Sequence, residues 1–234
     1  MGFYYFDYTY FIYMLPAIIV TMIAQIRVKS AFQKYSRIAT ARNMTGAQAA
    51  DAVARSGGAY GVQIQSISGS LTDNFDPRNN TISLSQDVYS ASTIAAVGVA
   101  AHEAGHAIQN AKGYLPNKIR AALVPVTNIG SHLSIPLVII GLILPVQYDF
   151  VVTIGIALYS LAVLFQLVTL PVEFNASYRA IKALDDAGIL YPDELEGAKS
   201  VLKAAAMTYL AASFTAIMTL LRLLTIANGR RGRD

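Results

Sequence analysis

The stretch FVVTIGIALYSLAVLFQLVTLPV, residues 150–172, sets the fold class because it contains no charged residue and is long enough to cross a bilayer. A helix needs about 20 apolar residues to span the hydrocarbon core of a membrane. The whole chain has a matching composition, since 54% of its 234 residues are hydrophobic and only 14% are charged. Soluble domains average about 25% charged residues. Together with a mean hydropathy of +0.44, this composition argues against a wholly soluble enzyme.

Three other apolar runs indicate further membrane helices. The run at 133–146, which can start nearer Asn128, forms a membrane hairpin with 150–172, and the other two runs are at 3–26 and 205–227. We therefore predict a mainly α membrane protein with about four transmembrane helices. Its predicted segments are an N-terminal transmembrane anchor (1–27), a water-soluble domain (28–128), a transmembrane hairpin (129–172), a further helical segment (173–204), and a transmembrane helix with a basic tail (205–234).

The basic residues after the first apolar run set the predicted orientation. A secretory signal would have basic residues before its apolar region, and no Lys or Arg precedes this run. Four basic residues follow it instead: Arg27, Lys29, Lys34 and Arg37. Basic flanks tend to stay in the cytoplasm, so the N terminus is expected outside. If all four helices cross the membrane, the basic tail at 230–233 lies outside with the N terminus. That position conflicts with the tendency of basic segments to stay in the cytoplasm.

The charge and cysteine counts exclude several classes of protein. Eighteen Lys and Arg against fourteen Asp and Glu leave a net charge of +4, which is too small to indicate a nucleic-acid partner. The chain has no cysteine, so disulfide scaffolds, cysteine-ligated zinc and thiol catalysis are excluded. The sequence also contains no nucleotide-binding or serine-hydrolase motif.

The water-soluble domain shows one helix start and two strand patterns before its longest helix. Thr45 and Gln48 have the spacing of a capping box at the start of a helix. Alternating apolar and polar residues at 62–65 and 81–85 predict two strands. We expect these strands to pair antiparallel across the turn-rich segment 73–80, whose acidic residues lack the spacing of a calcium loop.

Residues 102–106 read H-E-A-G-H, the H-E-x-x-H pattern, and lie in a predicted helix over 92–109. His102 and His106 are four residues apart, so they share one helix face and can bind the same Zn²⁺. Glu103 cannot easily share that ion, and is instead placed to take a proton from a water molecule that attacks a carbonyl. This pattern is typical of zinc peptidases.

A catalytic zinc needs a third protein ligand. The candidates are His132, Glu173 and the acids within 185–196. Glu173 closes the run at 150–172, and because the hairpin crosses twice, it returns to the side of the H-E-A-G-H helix. Ionisable groups at the ends of membrane helices are often functional.

Five segments carry a resemblance to a known family: LTDNFDP (71–77), AAHEAGHAIQ (100–109), ALVP (122–125), FQLVTLPVEFNAS (165–177) and AAAMTY (204–209). The chain resembles the neutral zinc metallopeptidases of bacterial membranes, the YugP-like proteins, over nearly its whole length. This resemblance implies a membrane-integral zinc endopeptidase with a small α+β zincin-like domain at 28–128. It also implies one catalytic Zn²⁺, held by His102, His106 and Glu173, with Glu103 as the general base.

The family in turn resembles the gluzincin peptidases, in which the glutamate ligand begins an E-x-x-x-D pattern. Ser177 stands at the position of that aspartate. A carboxylate that orients a ligand histidine must therefore come from elsewhere or be missing. The candidates for such outer contacts, or for a hydrogen-bond donor to the transition state, are His132, Asn175 and Ser177.

The expected partners are a polypeptide substrate and the lipid bilayer, with no nucleic acid. The substrate would be a membrane or misfolded protein, paired along the edge strand before the H-E-A-G-H helix. We expect the site at the cytoplasmic face of the bacterial inner membrane. The sequence is compatible with a homo-oligomer or with a regulatory partner. The alternative functions are a catalytically latent membrane scaffold and an intramembrane-type metalloprotease, although polar residues such as Gln86 and Lys112 border the motif helix.

Overall fold

The computed structural model describes residues 8–231, which form two compact units. The apolar unit comprises the described parts of Met1–Ile23, Ile119–Leu170 and Tyr209–Asp234, and the motif unit comprises Ala24–Lys118 and Pro171–Thr208. Residues 3–7 of the predicted first span and Arg233 of the basic tail lie outside the described residues. A π-helix at Tyr10–Met14 leads into the first of seven α-helices in the described part: α1 (Leu15–Tyr35), α2 (Gly46–Ser56), α3 (Gln86–Tyr89), α4 (Ile94–Ala111), α5 (Leu115–Ile143), α6 (Phe150–Asp186) and α7 (Pro192–Arg231).

Within residues 8–231, four helical segments are long and apolar enough to cross a membrane: Tyr10–Tyr35, Leu115–Ile143, Val146–Asp186 and Pro192–Arg230. Large apolar side chains such as Ile12, Ile129 and Ile143 are exposed on them. Such surfaces are stable in contact with lipid rather than water. The chain is therefore a mainly α membrane protein with a small α+β region, which confirms the predicted fold class.

The helices extend beyond the apolar runs that mark them in the sequence. α6 continues past Val172 to Asp186, and α7 begins at Pro192, well before the apolar run at 205–227. The reason is an amphipathic repeat, because small and apolar residues at helical spacing continue through the polar part of α6. These residues are all buried: Val172, Ala176, Ala180 and Leu184.

The core of the apolar unit is formed where α5, α6 and α7 pack together. Its buried cluster consists of Val138, Val152, Ile156, Leu223 and Ala227. Hydroxyl pairs link the N-terminal helical segment to α7: Tyr13 with Thr225 at 2.9 Å, and Thr21 with Thr215 at 3.2 Å. Polar contacts of this kind hold membrane helices together where the hydrophobic effect is weak.

The motif unit contains a three-stranded sheet in the order β1-β3-β2, formed by β1 (Gln63–Ile67), β2 (Asn74–Asp76) and β3 (Thr81–Ser85). β2 and β3 are antiparallel, whereas β1 pairs parallel with β3. The expected antiparallel pairing of 62–65 with 81–85 is therefore wrong. The segment 73–80, which the sequence predicts as a turn, contains β2, and β2 occupies the antiparallel side of β3.

The strand before α4 is central rather than at an edge. β3 has neighbours on both sides and is buried along its whole length. The prediction that a substrate pairs with this strand is therefore wrong, because its backbone groups are already used within the sheet. The strands at the edges are β1 and β2.

The predicted capping box at the start of α2 is confirmed. The Thr45 hydroxyl accepts a hydrogen bond from the Gln48 backbone N–H, and the Gln48 side chain accepts one from the Thr45 N–H. α2 packs on α4 through small residues, among them Ala50, Ala100 and Ala104, which are fully buried. This close packing fixes α4, which carries the H-E-A-G-H motif, in the core of the motif unit.

Candidate metal centre

α4 and the C-terminal part of α6 approach each other closely at Gly105, the fourth residue of H-E-A-G-H. A methyl group at this position would overlap the carbonyl oxygen of Ala176 on α6. Glycine therefore allows the two backbones to come closer than any side chain would. The approach places Glu173, one turn before Ala176, and Ser177, the residue after it, beside the histidines of the motif.

His102 and His106 direct the same ring nitrogen at one carboxylate oxygen. The Nε2 atom of His102 lies 3.2 Å from Glu173 Oε2, and that of His106 lies 3.4 Å from the same oxygen. The two rings meet edge to face, with their centroids 4.8 Å apart. Within the described residues, these three side chains form a group that can hold a metal ion, with their ligand atoms all within 4.8 Å of one another.

The burial of the group differs between its members. The Glu173 side chain is 3% exposed, whereas each histidine side chain is 12% exposed. A buried carboxylate is costly unless cations or hydrogen-bond donors surround it. The two imidazoles meet that need, and each of them is itself partly exposed.

The second nitrogen of each histidine also has a polar neighbour. His102 Nδ1 lies 3.1 Å from the Ser177 hydroxyl, and His106 Nδ1 lies 3.1 Å from Gln109 Oε1. A metal bound through Nε2 requires a proton on Nδ1, and an acceptor at that position fixes both the tautomer and the ring orientation. The neighbours of both rings are thus suited to binding a metal through Nε2.

Gln109 connects His106 to α6. Its buried amide donates to the Val172 carbonyl at 2.7 Å and to Asn175 Oδ1 at 3.0 Å. Asn175 Oδ1 also accepts a hydrogen bond of 2.7 Å from Arg179 Nε. The sequence did not single out Gln109 or Arg179. Gln109 follows His106 by three residues, and Arg179 follows Asn175 by four, so each pair shares a helix face. This spacing does not indicate that Gln109 also binds residues of another helix.

The remaining predicted site residues have different positions. Glu103 follows His102 on α4 and is buried, at 8% exposure. His132 lies on α5 in the apolar unit and is exposed, and among the described residues it does not belong to the group that can hold a metal.

The acids within 185–196 were the other candidates for a third ligand, and three of them have other partners. Asp186 pairs with Lys182, and Glu196 pairs with Lys199. Glu194 accepts hydrogen bonds from the backbone N–H groups of Ala41 and Tyr191. These three acids are therefore engaged with partners other than the two histidines.

The donor set of the group fits zinc. Two imidazole nitrogens and one carboxylate oxygen are the ligands that catalytic zinc sites combine with one open position. Borderline nitrogen donors also favour zinc over magnesium or calcium, which prefer oxygen alone. The residues present are therefore sufficient to hold a zinc ion.

The chain is similar to known proteins over most of its length. Residues 10–228 match the family described as "Putative neutral zinc metallopeptidase". The chain is 41% identical over 208 residues to a Bacillus subtilis (strain 168) protein named "Putative membrane protease YugP", covering 88% of this chain and 92% of that protein. No solved structure matches. The chain therefore belongs to this family of neutral zinc metallopeptidases.

Proposed function

We propose that the protein is a membrane-integral zinc endopeptidase that binds one zinc ion through His102, His106 and Glu173. The observation that carries this proposal is the convergence of three suitable donors on one point, with Glu103 beside His102 on the same helix. Family membership supports the reaction class, and the apolar helices support the membrane location.

Glu103 is proposed as the general base. A zinc ion at this site would polarise the carbonyl of a peptide bond and make a water molecule more acidic. The Glu103 carboxylate takes the proton of the attacking water while the new C–O bond forms. It then delivers that proton to the amide nitrogen as the C–N bond breaks.

The proposed substrate is an extended polypeptide, in particular a membrane or misfolded protein. The strands at the edges of the sheet are β1 and β2, and an extended chain can add to a sheet at an edge strand. We place the site at the cytoplasmic face of the inner membrane, because the basic residues after the first apolar run favour that side.

The test combines zinc content with peptide cleavage for the detergent-purified, full-length protein. We expect about one zinc per chain and cleavage of an unstructured protein in the wild type. Glu103→Gln is expected to keep the zinc and lose cleavage by a factor of about 10² or more. Glu173→Ala is expected to lose both. Glu196→Gln, which removes an exposed acid of α7, serves as the matched control and is expected to change neither.

Three outcomes would contradict the proposal. A wild-type protein without zinc would favour the latent scaffold. Cleavage by Glu103→Gln at the wild-type rate would show that the base is another group. Unchanged zinc content in Glu173→Ala would mean that the third ligand is a different residue.

A further inference from the structure

A cavity of about 320 Å³ opens in the motif unit beside the candidate metal centre. One wall is the stripe of α6 that begins at Asn175 and ends at Asp186, and the other walls come from the ends of α2 and α4. The residues of this stripe recur at helical spacing, so they share one face of α6. That face is different from the one that carries Glu173 and Ser177.

The cavity is lined by three cations and a single carboxylate: Lys112, Arg179, Lys182 and Asp186. Lys182 and Asp186 pair with each other at 2.8 Å. Among the described residues, Lys112 and Arg179 have no carboxylate partner, so the cavity carries an excess of positive charge.

Arg179 is held in place without being neutralised. Its Nε atom donates to the uncharged Asn175 side chain, and its guanidinium lies over the Tyr114 ring at 5.6 Å. These contacts order the side chain and leave its terminal nitrogens without a carboxylate. A fixed guanidinium of this kind matches the oxygens of a phosphate group, to which it can donate two parallel hydrogen bonds.

We propose that this cavity binds a phosphate group, either in a phospholipid headgroup or as free phosphate. Lys112 lies just before the apolar helix α5, and Arg179 follows the apolar run of α6 that ends at Val172. Cations next to membrane helices are placed at the level of lipid headgroups. The exposed Tyr178 at the cavity has the amphipathic side chain that is enriched at that level.

The experiment uses the full-length protein in detergent with two probes. Inorganic phosphate is titrated at constant ionic strength by calorimetry, and dioleoyl phosphatidylglycerol is titrated with native mass spectrometry as the readout. Dioleoylglycerol, which lacks the phosphate, is the lipid control. Saturable binding of phosphatidylglycerol but not of inorganic phosphate would identify the headgroup as the source, and the reverse would identify free phosphate.

Three variants test whether the probe binds in this cavity. Lys112→Gln removes a cation and is expected to weaken binding about tenfold. Asp186→Asn removes the only carboxylate and is expected to tighten binding. Lys203→Gln changes an exposed lysine of α7 outside the cavity and is expected to have no effect. Zinc content is measured in parallel and is expected to be equal in all variants, which separates this proposal from the proposed function.

The proposal is overturned if neither probe binds saturably to the wild type. It is also overturned if Lys112→Gln and Lys203→Gln weaken binding equally, or if Asp186→Asn does not strengthen it. Opposite effects of Lys112→Gln and Asp186→Asn could not arise from partial unfolding, so those two variants together are decisive.

Discussion

His102 has a hydroxyl group beside its Nδ1 atom, at the position where the E-x-x-x-D pattern has a carboxylate. Ser177 Oγ lies 3.1 Å from His102 Nδ1. A hydroxyl is a weaker acceptor than a carboxylate, because hydrogen bonds to ionised groups are roughly twice as strong. Ser177 thus occupies the position of the orienting group that the sequence left in doubt.

The effect of replacing Ser177 on zinc affinity should depend on whether the new side chain can accept a hydrogen bond from His102. Ser177→Ala removes the acceptor, and we expect a loss of about 10-fold in zinc affinity. Ser177→Asp supplies a charged acceptor and is expected to match or exceed the wild-type affinity. Competition with a chromophoric chelator measures both values. Equal affinities in Ser177→Ala and the wild type would show that the hydroxyl does not position His102.

Gln109 has the corresponding role for His106, and it also holds α4 against α6. Gln109→Leu removes the acceptor at His106 Nδ1 and both hydrogen bonds to α6. We expect zinc affinity to fall about 10- to 100-fold, since contacts of this type to ligand histidines have effects of that size. Gln63→Leu, at an exposed glutamine of β1, is the control. Wild-type zinc affinity in Gln109→Leu would contradict this role.

The sequence was sufficient to find the centre of the site and insufficient for its surroundings. His102 and His106 were predictable because an i, i+4 pair on a helix is a local relation. The assignment of Glu173 as the third ligand depended on the family resemblance. Glu173 is far from the histidines along the chain, so other acids were equally plausible. Gln109 and Arg179 could not be predicted, because their role depends on how α4 and α6 pack.

At the level of elements, the contact between α4 and α6 determines whether the three donors meet. Gly105 is the point of closest approach, and a Cβ there would collide with the Ala176 backbone. Gly98, also on α4, differs because an added Cβ would lie 3.4 Å from Ala198, in ordinary contact. Gly98 can therefore serve as the control position for a substitution at Gly105 on the same helix.

Gly105→Ala should separate α4 from α6, whereas Gly98→Ala should not. We expect Gly105→Ala to destabilise the protein by about 1–3 kcal/mol through overpacking and to reduce zinc affinity. Gly98→Ala should be neutral or stabilising by up to about 1 kcal/mol, because alanine is the better helix former. Thermal unfolding and zinc titration measure both effects. Equal behaviour of the two variants would contradict this account of the contact.

The elements differ in how well the sequence predicts them. The start of α2 was predictable because Thr45 and Gln48 bond each other within one turn. The parallel pairing of β1 with β3 was not, because it depends on β2 occupying the other side of β3. The segment 173–204 is predicted as helical, but its continuity with the membrane helices is not, because the apolar runs end at Val172 and begin again only at Ala205.

For the molecule as a whole, two basic residues of the last helix have specific partners. Arg222 donates to the Thr9 hydroxyl and lies 5.4 Å from the centre of the Tyr10 ring. Arg230 donates to the carbonyls of Gly141 and Leu144 at the end of α5. Helix ends leave carbonyls unpaired, and an arginine can satisfy them. Part of the basic tail is thus used in packing, which accounts for positive charge on the side that the four-span arrangement assigns to the outside.

That arrangement predicts which segments share a side of the membrane. If the four apolar helices all cross, the segment between α1 and α5 lies on the same side as the α6–α7 turn, and the α5–α6 turn lies on the other. The chain has no cysteine, so each introduced cysteine is the only thiol. One exposed position represents each segment. Ser68 lies between α1 and α5, Ala187 lies in the α6–α7 turn, and Gln147 lies in the α5–α6 turn.

We expect an impermeant maleimide to label Gln147→Cys in intact cells, and Ser68→Cys and Ala187→Cys only after the inner membrane is permeabilised. The physical reason is the basic flank after α1, which favours the cytoplasm. Labelling of Ser68→Cys from outside together with Ala187→Cys would reverse the orientation but keep the four spans. Labelling of those two positions from opposite sides would show that α5 and α6 do not both cross. In that case Glu173 could not return to the side of His102 by a membrane hairpin.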